Sequence, residues 1–192
     1  FLNACTKEDY QSPTPNENDQ ATVVMTINTP QATLPSVAAR TQTQSETHIS
    51  DVKILVFKNT GSSYAFSYYV SGSEIASADN QQTKFKAALV GTETPLKLYV
   101  VANAGDVFDH SAPDAGMTEV EVKKVLDKAF TSGGFTGDLP MSGYVELPEG
   151  IKASGNYTLP VTVLRSVARV DVVKDLAEGS TDFILEKVYA FR

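Results

Sequence analysis

The chain is dominated by a repeat of two. Short runs in which apolar and polar residues alternate recur along it, separated by turn-forming residues, and that period belongs to strands with one buried face. The clearest is "ATVVMTIN" at 21–28, where Val23, Met25 and Ile27 share one side and Val24 and Thr26 the other. Others follow at 49–57 ("ISDVKILVF"), 64–70 ("YAFSYYV"), 83–90 ("TKFKAALV"), 144–147 ("YVEL") and 183–191 ("FILEKVYAF"). Tyr64, Phe66, Tyr68 and Val70 are expected on one face, and so are Phe85, Ala87 and Leu89. The run "LKLYVVANA" at 96–104 is almost continuously apolar and reads as a central strand. "NYTLPVTVLRSVARVDVV" at 156–173 reads as one long strand. One stretch breaks the rhythm. Thr118 and Glu121 form a capping-box pattern ahead of Val122, Val125, Leu126, Ala129 and Phe130, which predicts a helix. Many short strands and a single helix predict a mainly β fold, a β-sandwich with one helical excursion.

Charge and composition remove several functions. Sixteen basic residues against 23 acidic ones leave a net charge of −7, the wrong sign for nucleic acid. No apolar run reaches the roughly 18 residues needed to cross a bilayer, so membrane attachment would have to come through a lipid. No residue constellation supports an enzyme, a metal or a cofactor. His48 and His110 lie far apart in expected loops, and "SGGFTG" follows a helix instead of joining a strand to one, so it is not a phosphate loop. Asp106, Asp109 and Asp114 lack the alternate spacing of a calcium loop. The aromatics of 64–69 could form a sugar-stacking platform if exposed, but at strand spacing they are expected to pair within a core.

The first twenty residues are of another kind. Cys5 is the only cysteine, so it has no internal disulfide partner. Leu2-Asn3-Ala4-Cys5 is similar to a lipobox, in which the cysteine is lipidated after the preceding signal is removed, and the chain would then begin inside its own signal peptide. "QSPTPNENDQ" at 11–20 has two prolines and no apolar residue and reads as a tether.

Four stretches, in order, resemble the major fimbrial subunits of Bacteroidota, the fimbrillins or type V pilins. They are "TVVMTINTPQATLPSVAAR" ending at Arg40, "LKLYVVANA" with Asn103, the "LPMSG" turn at 139–143, and "VLRSVARVDV" with Arg165 and Arg169. The resemblance implies a transthyretin-like N-terminal domain of a usually two-domain pilin, exported as an outer membrane lipoprotein precursor through Cys5. It implies cleavage after Arg40 by an Arg-specific surface protease, which frees the anchor and the first strand. A neighbouring subunit's strand would then fill the groove vacated by Val23, Met25 and Ile27, building an extracellular fimbrium that supports adhesion to a host ligand. The expected division is 1–20 lipobox end and tether, 21–40 detachable strand segment, and 41–182 sandwich domain. Residues 183–192 would be its last strand or the start of a second domain that supplies the donor strand. Arg165 and Arg169, with Val161, Val163 and Val167, would share one face of a strand and either pair within the domain or line an interface. Two other readings remain open: an accessory or tip subunit of the same family, and a surface glycan-binding lipoprotein.

Overall fold

The computed structural model describes residues 19–29, 47–79, 82–105, 108, 112–127 and 137–166. It is mainly β, with nine strands and a helix among the described residues. The strands are β1 (Gln20–Asn28), β2 (Val52–Asn59), β3 (Tyr64–Ser71), β4 (Ser73–Asp79), β5 (Gln82–Val90), β6 (Leu96–Ala102), β7 (Met141–Leu147), β8 (Asn156–Thr162) and β9 (Leu164–Arg165); the helix α1 covers Glu119–Leu126. Two open sheets form a sandwich. One has the order β4-β5-β1-β8 and the other β3-β2-β6-β7-β9.

The core lies between the sheets. Val23, Met25 and Ile27 meet Phe85, Ala87 and Leu89 from their own sheet, and Ile54, Val56, Leu98, Val100 and Met141 from the facing one. The first sheet turns Thr22, Lys84, Lys86 and Ala88 to solvent, so among the described residues it is packed on its inner side only. The second sheet is packed on both sides, which accounts for the apolar runs Ile54–Phe57 in β2 and Leu98–Ala102 in β6. Its outer face carries Leu55, Phe57, Phe66, Phe108 and Val122, a smaller cluster closed by α1. The capping box forms as the sequence predicts: Thr118 Oγ1 accepts from the Glu121 amide at 3.3 Å, and Glu121 accepts from the Thr118 amide at 2.8 Å. Ala129 and Phe130, the expected end of this helix, lie outside the described residues.

Three expectations are corrected. Tyr64, Phe66, Tyr68 and Val70 do not share a face. The β2–β3 register shifts between Val56 and Phe57, a bulge that turns Tyr64 and Phe66 toward α1 and leaves Tyr68 and Val70 in the sandwich core. Residues 156–165 are not one strand of one sheet: β8 pairs with β1, the chain crosses at the fully buried Val163, and β9 joins β7 in the other sheet. Finally, "LPMSG" is not a turn, because Met141, Ser142 and Gly143 open β7. Glycine is needed at 143 because a Cβ there would collide with the Thr162 carbonyl, at the crossing from β8 to β9.

Candidate functional site

The strand that the sequence singles out is central. β1 runs antiparallel to β5 over nine residue pairs, Gln20↔Val90 to Asn28↔Gln82. On its other side it runs parallel to β8 over seven pairs, Thr22↔Asn156 to Asn28↔Thr162. Among the described residues β5 and β8 do not pair with each other as strands, and β1 is the strand that joins the two halves of its sheet. Val23, Met25 and Ile27 are each 0% exposed, and Ala21 is equally buried. Burial of the three larger side chains is worth about 5–9 kcal/mol together.

The two ends of this strand differ. At the start, Gly91 donates to the Asp19 carbonyl at 2.8 Å, Ser154 to the Gln20 carbonyl at 2.8 Å, and Thr22 to the Gly155 carbonyl at 3.0 Å. Just beyond, the segments after β5 and before β8 bond to each other: Thr92 and Ile151 exchange hydrogen bonds of 2.6 and 2.8 Å. Gly91 lies so close to the Ala153 backbone that a Cβ would overlap it. At the far end Val163 donates to the Asn28 carbonyl at 3.1 Å, and β8 departs for the other sheet. Thr29, the next residue, is buried as well.

A polar cluster fastens α1 to the outer face of the other sheet. The Lys97 ammonium lies 3.0 Å from Glu119 and 3.6 Å from Glu146, and 4.4 Å from the centre of the Tyr144 ring. The Tyr99 hydroxyl donates to Glu119 at 2.8 Å. Desolvation works to lower the Lys97 pKa, but the hydrogen bond and charge of Glu119, with Tyr99 adding to them, outweigh it and raise the value. For Glu119 desolvation again opposes the charged form, and the Tyr99 and Lys97 hydrogen bonds with the nearby lysine charges outweigh it, so its pKa falls. Beside this cluster is a hollow of about 590 Å³, floored by Leu55, Phe57, Tyr99 and Val101 and bounded by Val122 and Leu126 of α1. Among the described residues no group of His, Cys, Asp and Glu side chains could hold a metal ion.

The remaining predicted residues fall as follows. Arg165 is half-buried in β9, opposite Met141 of β7. Cys5, Arg40 and Arg169 lie outside the described residues. Phe66 is 4% exposed in the outer cluster, and Tyr68 is half-buried, its hydroxyl accepting from the Val90 amide at 2.9 Å. These aromatics are packing residues and do not form an exposed, coplanar platform, which counts against glycan binding. Asn103 follows β6 in a left-handed conformation (φ 58°). Its side chain accepts from the Ser50 amide at 2.9 Å and donates to the carbonyls of His48 (2.8 Å) and Leu139 (2.9 Å), pinning the starts of β2 and β7.

The family model described as Major fimbrial subunit protein (FimA) matches residues 21–175. The chain belongs to this family. The match takes in β1 from Ala21 onward and every later described strand of the fimbrial subunit. The family is structural and non-enzymatic, and its members imply an extracellular fimbrium built with other subunits. No individual curated protein matches this fimbrial subunit.

Ala21 and Thr29, buried at the two ends of this strand, are not among the residues that the sequence singles out. Both continue the alternate positions of Val23, Met25 and Ile27 by one step; Ala21 is apolar and is reached by extending the pattern, whereas Thr29 is polar and gives no apolar signal.

Proposed function

We propose that this fimbrial subunit is exported as a surface lipoprotein through Cys5, activated by an Arg-specific protease cutting after Arg40, and polymerised by strand exchange. β1 is the stopper of the monomer. Cleavage detaches the segment that carries the anchor, β1 yields its place, and a neighbouring subunit's strand pairs with β5 and β8 instead. Repetition of this step builds the fimbrium that supports adhesion.

The observation that carries this reading is the position of β1. A strand paired on both sides, whose inward side chains are all fully buried, leaves two unpaired edges and an apolar slot when it departs. Bare edges are hazards that a second chain satisfies by strand addition. Cys5 and Arg40 enter from the sequence: Arg40 is the only arginine before Arg165, and small residues precede it in "SVAAR".

The test is limited digestion of the folded protein with an Arg-specific protease, followed by intact mass and electron microscopy. The reading predicts rapid cleavage after Arg40 and fibres that form only in the cut sample. Resistance at Arg40, or fibres from uncut chains, contradicts it.

A further inference from the structure

The asymmetry between the ends of β1 bears on how one strand can replace another, and the argument here rests on the strand-exchange reading above. Flanking strands that leave room for a third lie two strand spacings apart, close to 10 Å. Between β5 and β8 that room exists from Thr22 to Asn28, where β1 is paired on both sides. It closes at the Gln20 end, where Thr92 and Ile151 are hydrogen-bonded and Gly91 abuts Ala153. Ile151 is itself fully buried in the main core, so this collar is part of the packed sandwich. At the Asn28 end no comparable bond joins the segments flanking β1 among the described residues, since β8 turns away through Val163 to the other sheet.

We infer that the slot is blind at its Gln20 end and open at its Asn28 end, so that a replacing strand displaces β1 from Asn28 backward and is held in one register against the collar. Cutting the connection after Asn28 makes that end of β1 a free end, and free ends open first. The collar secures the other end to the last step. It also defines the partner. The incoming segment carries four inward residues at alternate positions, a small one where Ala21 sits and larger apolar ones at the places of Val23, Met25 and Ile27. Outward positions are unconstrained by the core and suit polar residues such as Thr22 and Thr26.

The test uses the full chain with residues 36–40 replaced by the recognition sequence of a site-specific protease, so that its outcome does not depend on Arg40. After cutting, labelled synthetic peptides are added: one matching residues 19–29 and two shortened versions, 23–29 and 19–25. Native mass spectrometry follows loss of the original strand and entry of the label. The expected result is that the 23–29 peptide starts displacement about as fast as the complete peptide, while 19–25 is slower by about tenfold or more, because opening begins where local stability is lowest. Equal rates for the two shortened peptides, or the reverse order, overturn the blind-ended slot. Failure of the complete peptide to enter at any concentration overturns strand exchange itself, and this inference with it.

Discussion

Met25 lies directly opposite Phe85 across the β1–β5 ladder, with side chains 0% and 1% exposed. On the other side of Met25 is Leu159 of β8. The middle of β1 is thus enclosed by both flanking strands and by the facing sheet.

Met25→Ala in the uncut chain is expected to cost about 2–5 kcal/mol, the range for emptying a packed site of this size. Val24→Ala, on the half-buried outer side, should cost less than about 1 kcal/mol. Urea unfolding of the two variants checks the difference. Similar losses would mean that the inner face of β1 is not packed as described.

Gly143→Val should be among the most damaging substitutions in β7, because the added atoms overlap the Thr162 carbonyl. We expect a loss of about 1–3 kcal/mol or more, as for other overpacked sites. Tyr144→Val, one residue on, removes a ring that is 54% exposed and should be better tolerated. Thermal melting separates the two.

Asn103 can be divided into its backbone and side-chain parts. Asn103→Gly keeps the left-handed conformation and loses the bonds to Ser50, His48 and Leu139. Asn103→Ala loses those bonds and also pays for the backbone, about 1–2 kcal/mol more. Both variants should be less stable than the parent, in that order, by chemical denaturation.

The Lys97–Glu119 pair makes the attachment of α1 pH-dependent. Because the Glu119 pKa is lowered on folding, its contribution is complete above the ordinary carboxylate range and disappears as pH falls through the lowered value. Because the Lys97 pKa is raised, its contribution is complete below the ordinary lysine value and is lost only as pH rises past the raised one. Glu119→Gln should therefore cost a constant amount near neutrality, about 1–2 kcal/mol after allowance for partial exposure. The difference from the parent should vanish in strong acid. Urea midpoints between pH 2 and 8 test this, and a difference that grows in acid contradicts it.

How far the sequence reveals this molecule depends on the range of the forces involved. The alternation in 21–28 and 83–90 and the capping box at Thr118 are local patterns, and each produced the expected element. β4 went unrecognised because Ser73–Asp79 is mostly polar; it is an edge strand, held by pairing with β5 more than by burial. The bulge in β3 and the crossing at Val163 reverse faces or sheets midway along apparently regular runs, and nothing in a two-residue period marks where that occurs. Val23, Met25 and Ile27 were legible as one buried face. The pairing of β1 with both β5 and β8, and the collar at Thr92 and Ile151, join residues more than fifty positions apart and emerge only from the fold.

The central claim is that β1 is a temporary occupant of its sheet. It is tested most directly by the intact mass and N-terminal sequence of subunits recovered from assembled fimbriae. The account predicts chains that begin at Thr41, with residues 21–28 absent from the fibre. Fibres whose subunits still contain Val23, Met25 and Ile27 would contradict it.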